Sequence, residues 1–362
     1  QYIVTEQVMT RMRTNSSRRE FLKKAGKAAA AVSLGAGPLI LVTGKARGAD
    51  RIVVVSFGGS LGEFMEAEFN KPFTAKTGIA VEMASGPDLA KVKAQVNSRN
   101  VEWDVFDGSG SAIFGGSNEN LWEPIDTRIV DTSQLLIPAG PDKVPVFVYS
   151  GGIAWDPART AKPARNFKEL WDAKNYPGKR GLRTRVSEVL EAALLADGVE
   201  PAKLYPLDVE RGFKALDRIK PDVKKWFEQT TQGITLIQAG ECDFTYTYAN
   251  RVKAAKLSGV SIEFSFDQTI NANDYYVVPR GSPRKEAAMR YIDFVISPDR
   301  QAAIAEKISF SPVTKGVLEK ASPEAQRWLP KLTNSNSTLI DDEYWRTNFT
   351  ALDRRFKEWI LV

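Results

Sequence analysis

Short apolar segments alternate with amphipathic ones along most of the chain after residue 50. The run IVVVS at residues 52–56 is typical of a buried strand, and phenylalanines at helical spacing follow it. Further strands are predicted over residues 79–83, 101–106, 150–155, 181–184, 243–248 and 274–278, and helices over 88–96, 187–196, 208–219, 234–239, 283–296 and 298–307. Strands that alternate with helices indicate βα units, so the predicted fold class is α/β with a mostly parallel sheet.

Small polar residues follow the ends of three predicted strands, at residues 58–60, 108–111 and 150–152. Ligands of open α/β sheets bind at the carboxyl ends of strands, and helix N-termini there favour anions. Each loop alone is equally compatible with an ordinary βα turn. Three such loops in one chain favour a ligand-binding cleft.

The first 48 residues have a different pattern. Residues 16–24 read SSRREFLKK, an apolar run follows at 28–42, and small residues close the segment at 46–49. A secretory signal typically has a basic start, a short apolar stretch and a small-residue cleavage site. The paired arginines resemble those of a twin-arginine signal. The apolar run is too short to span about 30 Å of hydrocarbon. We predict a signal peptide over residues 1–48, cleaved near Gly48, and a periplasmic protein; the alternative is a chance arginine pair in a basic tail.

The positive charge of the chain is confined to this segment. The formal net charge is +6 at pH 7, but residues 1–48 contain nine basic and two acidic side chains. The remaining 41 basic and 42 acidic residues nearly cancel. A nucleic-acid partner is therefore not expected, because its main electrostatic support is missing.

The chain contains no histidine and one cysteine, Cys242. This composition excludes catalytic sites of the Ser-His-Asp and Cys-His types, histidine metal sites and a disulfide within the chain. Cys242 begins a predicted apolar strand, which favours a buried thiol over a nucleophile. We expect neither an enzyme nor a cofactor or resident metal.

Two blocks carry a resemblance to a known family. Residues 71–81, KPFTAKTGIAV, resemble a block of bacterial extracellular solute-binding proteins of ABC importers, and residues 274–314 resemble their spermidine/putrescine-binding branch. The resemblance covers roughly residues 51–340. It implies a two-lobed type II periplasmic binding protein fold, in which each lobe is a mostly parallel sheet flanked by helices and the ligand cleft lies between the lobes. Lobe 1 would comprise residues 51–148 and 271–315, and lobe 2 residues 149–270 and 316–362.

The resemblance also implies a function and its partners. Such a protein captures a small solute by closing about a hinge and delivers it to an inner-membrane ABC transporter permease. The solute bridges the two lobes and favours the closed state through its higher affinity for that state. The family usually acts as a monomer.

Polyamine binders of this branch hold the methylene chain between aromatic side chains and the ammonium groups with acidic ones. The ligand-binding positions implied by the resemblance are Phe57, Ser60, Ser109, Ser111, Arg185, Glu188, Tyr248, Asp274 and Phe310.

Several of these positions depart from the polyamine pattern. Phe57 is the one aromatic residue left in the first loop, and Ser111 stands where the branch has a tyrosine. Tyr248 and Ala272 occupy tryptophan positions, and Arg185 replaces an amine-binding aspartate. The site resembles a polyamine site that has lost aromatic groups and exchanged one carboxylate for a guanidinium.

A planar guanidinium donates two parallel hydrogen bonds to a carboxylate or phosphonate, whereas an amine there would be repelled. We therefore predict an organic anion or a zwitterion, such as a dicarboxylate, an ω-amino acid or an aminophosphonate. Arg185 and the serines would hold the acid group of the solute. Asp274 would hold an amine or hydroxyl group, and Glu188 is a further candidate for that role. As alternatives, Arg185 could pair with Glu188 at i+3, and Asp274 could cap a strand. Arg183 could serve either the ligand or a structural ion pair.

Three other functions remain open at this point. The chain could be a putrescine or spermidine receptor, or a ferric-iron receptor that uses the adjacent Tyr275 and Tyr276. Neighbours on a strand face opposite ways, which argues against the tyrosine pair. An enzyme is the third alternative. Tryptophans near the C-terminus are predicted to serve packing rather than ligand stacking; they are Trp328, Trp345 and Trp359.

Overall fold

The computed structural model describes residues 51–330 and 334–362. The predicted signal peptide over residues 1–48 and its cleavage near Gly48 lie outside the described residues. Across the described ranges, we find no helix that combines the length and the apolar character needed to cross a membrane.

Within the described residues, ten strands form one mixed sheet. The strands are β1 (Arg51–Ser56), β2 (Ala80–Ser85), β3 (Val105–Ser109), β4 (Val144–Trp155), β5 (Arg180–Arg183), β6 (Val223–Phe227), β7 (Phe244–Tyr248), β8 (Glu263–Phe264), β9 (Ile270–Val277) and β10 (Thr338–Leu339). Their order is β2-β1-β3-β9-β4-β7-β5-β6, with β10 beside β9 and β8 beside β4.

Apart from the short β10, which pairs in parallel with β9, the parallel pairs of the sheet lie toward its two ends. β1 pairs in parallel with β2 and β3, and β5 pairs in parallel with β6 and β7. Each antiparallel pair among these strands includes β4 or β9. Two parallel ends are thus joined through two central antiparallel strands, and the predicted α/β class is confirmed.

Helices cover the sheet. They are α1 (Gly59–Met65), α2 (Lys71–Thr77), α3 (Leu89–Ser98), α4 (Gly110–Asn118), α5 (Phe167–Trp171), α6 (Val186–Ala196), α7 (Val209–Ile219), α8 (Gln232–Gln238), α9 (Ala249–Leu257), α10 (Lys285–Val295), α11 (Pro298–Ala303), α12 (Pro323–Arg327) and α13 (Asp342–Leu361). Helical π-turns join α1 to α2 and follow α11.

Local sequence explains where these helices begin and end. The Asp88 carboxylate accepts a hydrogen bond from the Ala90 amide at 2.8 Å and so caps α3. Gly78, with φ of 75°, ends α2 in the left-handed conformation that glycine adopts without strain. Strand β6 lies at the edge of the sheet with Lys224 and Lys225 exposed, and its weak apolar pattern did not predict a strand.

Two large apolar clusters lie at the two ends of the sheet. One is built from residues between 52 and 148 and between 276 and 313. The other is built from residues between 153 and 272 and between 340 and 356. Tyr149, in the middle of β4, packs against both clusters. This division supports the predicted lobes, whose boundaries stay a prediction.

Asp104 connects three parts of the chain at the first of these ends. Its buried carboxylate accepts hydrogen bonds from the Val53 amide at 2.7 Å and the Ser282 hydroxyl at 2.6 Å. It also accepts from Arg284 Nε at 2.7 Å. Strand β1 and the segment before α10 therefore depend on the same two oxygens.

Replacing this carboxylate should destabilise the fold. Asp104→Ala leaves an amide, a hydroxyl and a guanidinium without their acceptor, and we expect the free energy of unfolding to fall by about 3 kcal/mol. Urea denaturation followed by circular dichroism measures this change. The control is Glu82→Ala, which breaks the exposed ion pair with Arg51 and should cost less than about 1 kcal/mol. Equal losses in the two variants would contradict the role of Asp104.

Candidate functional site

Polar side chains from several elements converge beside the centre of the sheet, around a small cavity. The cavity has a volume of about 10 Å³, which is roughly the room for one water molecule. Its walls are formed by Gly110, Ser111, Tyr149, Arg185, Ser187, Ala272, Ile340, Asp342 and Trp345. These residues come from both ends of the sheet. Because the cavity has room for about one water molecule, a larger solute can enter only if its walls move apart.

Arg185 lies between β5 and α6, where an extended backbone directs it to this cavity. Its Nε donates to the Ser187 hydroxyl at 3.0 Å, and its Nη2 lies 3.4 Å from the Ser109 hydroxyl. Its Nη1 lies 3.6 Å from Glu188 Oε1, which is an ion pair but too long for a hydrogen bond. The predicted cleft position and the alternative pairing with Glu188 therefore occur together.

Glu188 is buried and has an unusual backbone, with φ of 77° and ψ of −47°. This conformation is rare and strained for a residue other than glycine, and such residues cluster at functional sites. Its Oε2 accepts a hydrogen bond from the Tyr248 hydroxyl at 2.8 Å, and Arg183 Nη1 donates to that hydroxyl at 2.6 Å. The Glu188 amide donates to Glu191 Oε2 at 2.7 Å. Arg183 thus acts through Tyr248 rather than at the cavity.

Asp274 lies on β9 opposite Ser109 of β3, and it is buried. Asp107, two residues before Ser109, is buried beside it and accepts a hydrogen bond from the Ser56 hydroxyl at 2.5 Å. Burial raises the pKa of Asp107 to about 7. Burial, together with the charge of Asp107, raises the pKa of Asp274 well above its ordinary value. Because side chains two apart on a strand share a face, the spacing from Ser109 was the signal that could have revealed Asp107.

The first residue of α13 also reaches the cavity. Asp342 Oδ2 accepts hydrogen bonds from the Tyr275 hydroxyl at 2.7 Å and from Asn273 Nδ2 at 3.3 Å. It packs so closely on Gly110 that a Cβ there would lie 1.7 Å from Asp342 Oδ1. Burial raises the pKa of Asp342 to about 6. No sequence motif marks this residue, which joins the site only through the path of the C-terminal helix.

Trp345, one turn further along α13, packs in the apolar core as predicted and also forms part of the cavity wall. Its Nε1 donates to Glu191 Oε1 at 2.6 Å, and the Tyr205 hydroxyl donates to the same oxygen at 2.6 Å. Burial raises the pKa of Glu191 to about 7. This carboxyl group therefore lies behind the cavity wall and serves the packing of α6 against α13.

The other predicted positions are distributed differently. Ser111 lines the cavity, whereas Tyr248 does not line it and donates to Glu188, which pairs with Arg185 in the cavity wall. Phe310 is buried and stacks on Phe147, with ring centroids 4.5 Å apart. Phe57 is 52% exposed and Ser60 is also exposed, and neither lines the cavity. Their roles in ligand binding stay predictions.

Tyr275 and Tyr276 diverge, as the strand geometry predicts. Tyr275 donates to Asp342, whereas Tyr276 stacks on Tyr291 in the core. Over residues 51–330 and 334–362, no group of three or more His, Cys, Asp or Glu side chains is arranged to hold a metal ion. Cys242 is buried as predicted, and burial raises the pKa of its thiol to about 11, so it is a poor nucleophile.

The site therefore combines guanidinium and carboxyl groups in a desolvated space. It can hold an acid group at Arg185 and a cationic or hydroxyl group at Asp274, with Ser109 between them. This arrangement suits binding of a small molecule with two unlike polar ends.

The chain is similar in sequence and in fold to known proteins. The family model described as "Bacterial extracellular solute-binding protein" matches residues 68–331. A gamma-aminobutyric acid-binding protein of Pseudomonas aeruginosa is 32% identical over 319 residues, which cover 85% of this chain and 90% of that protein. A solved structure of Atu4243, described as a GABA receptor, gives a TM-score of 0.80 at 32% identity and covers 86% of this chain and 97% of that chain.

A polyamine receptor is more distant. The spermidine/putrescine-binding periplasmic protein of Escherichia coli is 22% identical over 210 residues, which cover 58% of each protein. The resemblance found in the sequence is thus confirmed. The chain belongs to the bacterial extracellular solute-binding protein family, has the type II periplasmic binding protein fold and is the substrate-binding component of an ABC importer.

Proposed function

We propose that the solute is a small zwitterion that carries a carboxylate and an ammonium group on a short chain, with γ-aminobutyrate as its representative. The observation that carries this proposal is the placement of Arg185 and Asp274 on either side of Ser109. The two similar proteins whose names refer to γ-aminobutyrate support the choice of representative.

Arg185 is suited to the carboxylate of the solute. Its guanidinium is 26% exposed, and its longest contact, the one to Glu188, is an ion pair without a hydrogen bond. The terminal nitrogens therefore remain able to donate two parallel hydrogen bonds to a carboxylate that enters the cavity. The hydroxyl groups of Ser109, Ser111 and Ser187 are close enough to the guanidinium or the cavity to support the same acid group.

Asp274 is suited to the ammonium group. Its side chain is buried, and its Oδ1 accepts no hydrogen bond from a described residue. A buried acceptor of this kind gains most from a cationic donor, because charge-assisted hydrogen bonds are stronger in a desolvated site. Tyr149 and Ala272 form the wall beside it, which offers an apolar surface to a short methylene chain.

Charge separates this proposal from the alternatives. A polyamine would place one of its ammonium groups against Arg185, and like charges in a desolvated site repel. A dicarboxylate would place its second acid group against the buried Asp274 and Asp107. A zwitterion meets an opposite charge at both ends, and the divergence of Tyr275 and Tyr276 removes the support for a ferric-iron site.

We further propose how the protein works. The two lobes separate to admit the solute and close on it, because a cavity of about 10 Å³ cannot admit it otherwise. The protein then delivers the solute unchanged to its inner-membrane permease, so it is a receptor without catalytic turnover. It acts in the periplasm as a monomer, after export directed by residues 1–48, and it has no nucleic-acid partner.

Isothermal titration calorimetry with a panel of solutes tests the ligand class. We expect γ-aminobutyrate to bind at least about 100-fold more tightly than succinate, putrescine or ferric citrate, since the wrong charge costs several kcal/mol in such a site. Nuclear magnetic resonance of the recovered solute should show it unchanged. Tightest binding of putrescine would restore the polyamine alternative, and turnover of γ-aminobutyrate would contradict the receptor.

A substitution series at Arg185 tests the acid-binding end. Arg185→Ala should weaken γ-aminobutyrate binding about 100-fold, or about 2.7 kcal/mol, because it removes the cationic partner of the carboxylate. Arg185→Lys keeps the charge but loses the planar fork, so an intermediate loss is expected.

The matched control for this series is Arg211→Ala, which removes an exposed arginine that pairs with Asp197 on the surface. It should leave the affinity unchanged. Thermal unfolding of each variant separates loss of binding from loss of folding. If folded Arg185→Ala binds γ-aminobutyrate like the wild type, Arg185 is a structural partner of Glu188 and the assignment is wrong.

A further inference from the structure

Asp107 and Asp274 belong to neighbouring antiparallel strands and share one face of the sheet. Ser109 and Asp274 are directly paired between β3 and β9, and Asp107 precedes Ser109 by two positions. Side chains two apart on a strand point to the same side, so both carboxyl groups lie on the side that Arg185 faces. Neither group is open to water, with exposures of 0% for Asp107 and 5% for Asp274.

The hydrogen bonds of the pair leave a donor missing. Asp107 Oδ2 accepts from the Ser56 hydroxyl, but Asp107 Oδ1 and Asp274 Oδ1 accept no hydrogen bond from a described residue. Two ionised carboxylates cannot donate to one another, and buried polar atoms are normally satisfied. The register places the two carboxyl groups diagonally across neighbouring strands on one face, so one proton held between them would supply the missing donor.

The surroundings favour retention of that proton. The charged or titratable groups that act on the pair from other elements are Tyr149 on β4, Arg185 before α6 and Tyr291 on α10, and those on β9 itself are Tyr275 and Tyr276. The cation among them, Arg185, acts on Asp274 and is shared with Glu188. Burial outweighs this cation and raises the pKa of Asp107 to about 7, and burial together with repulsion from Asp107 raises the pKa of Asp274 well above its ordinary value.

We infer that Asp107 and Asp274 form a carboxylic acid pair that holds one proton in the free protein and releases it when the ammonium group of the solute binds beside them. Asp107 is then a positioning residue that sets the protonation of Asp274. The release step rests on the proposed function, since it requires a cationic end of the solute at Asp274. The proton passes to water or buffer, and no other bond is made or broken.

The sign of the pH dependence follows from this exchange. An ammonium group stabilises the ionised pair, so the complex holds fewer protons than the free protein, and the affinity rises with pH. Below the pKa of Asp107, which is about 7, the affinity for γ-aminobutyrate should rise by up to about tenfold per pH unit. Above that pH the affinity should change little. An acid group at the same place would have the opposite effect, because it would favour the protonated pair and bind more weakly as the pH rises.

Calorimetry of γ-aminobutyrate binding between pH 5.5 and 8.5, in buffers with different heats of ionisation, measures the protons released. At pH 6.5 we expect the wild-type protein to release about half a proton or more per solute bound. Asp107→Asn keeps the shape of the side chain and supplies an amide donor to Asp274. It should bind γ-aminobutyrate with little dependence on pH and release almost no proton.

The matched control is Glu191→Gln, which removes a buried acid with a similar pKa that accepts hydrogen bonds from Tyr205, Trp345 and the Glu188 amide and has no contact with Asp107 or Asp274 among the described hydrogen bonds. It should keep the proton release of the wild type. Equal release from wild type and Asp107→Asn, or loss of release in Glu191→Gln instead, would overturn the inference.

A second measurement does not depend on any solute. Infrared difference spectra of the free wild-type protein minus each variant at pH 7 should show one protonated carboxyl band for both Asp107→Asn and Asp274→Asn, because the contributions of Glu191 and Asp342 are common to all three proteins and cancel. If neither difference spectrum shows this band, the shared proton is refuted even where γ-aminobutyrate binds. If the band behaves as expected but γ-aminobutyrate does not bind at any pH, the proposed function is refuted and the release step with it, while the shared proton is supported.

Discussion

The structure depends on the antiparallel pairing of β4 and β9. Their ladder runs from Val144 opposite Tyr276 to Gly151 opposite Ile270, and it passes from one apolar cluster to the other. Backbone hydrogen bonds along this ladder fix the separation and register of the two strands. The site residues on them, Tyr149 and Asp274, are therefore placed by the sheet rather than by flexible loops.

Burial of charged groups is the second constraint on the structure. An ionised group that leaves water without an oppositely charged partner raises the free energy of the folded protein. Beside the cavity, the described residues bring together the carboxyl groups of Asp107, Glu188, Asp274 and Asp342 and the guanidinium of Arg185. Desolvated ions need partners, and surplus carboxyl groups respond by retaining protons. Under the proposed function, a solute that brings one cationic and one anionic group would satisfy both Arg185 and Asp274 and would favour closure by its differential affinity for the closed state.

Much of the fold was predictable, and the site only in part. The strand and helix pattern predicted the α/β class, and Arg185 was predicted as a candidate because it departs from the polyamine pattern at an amine-binding position. Asp107 was missed because its proximity to Asp274 depends on the register of β3 and β9, which a single sequence does not specify. Asp342 was missed because the C-terminal helix returns to the cavity over a long sequence separation. The sequence pattern named candidate charged residues and could not supply the pairing across strands that brings other charges beside them.

The strained backbone at Glu188 connects these points. With φ of 77°, it turns the carboxylate toward the Tyr248 hydroxyl, which satisfies Oε2 at 2.8 Å, and leaves Oε1 at 3.6 Å from Arg185. Had the backbone been regular, the i+3 spacing would favour a direct hydrogen-bonded ion pair that occupies the guanidinium. The strain, of order 1–3 kcal/mol, is sustained because the surrounding hydrogen bonds determine the conformation. Glu188 thus balances the charge of the partly exposed Arg185 at a distance, and the hydrogen-bonding edge of the guanidinium stays available to the acid group of the proposed solute.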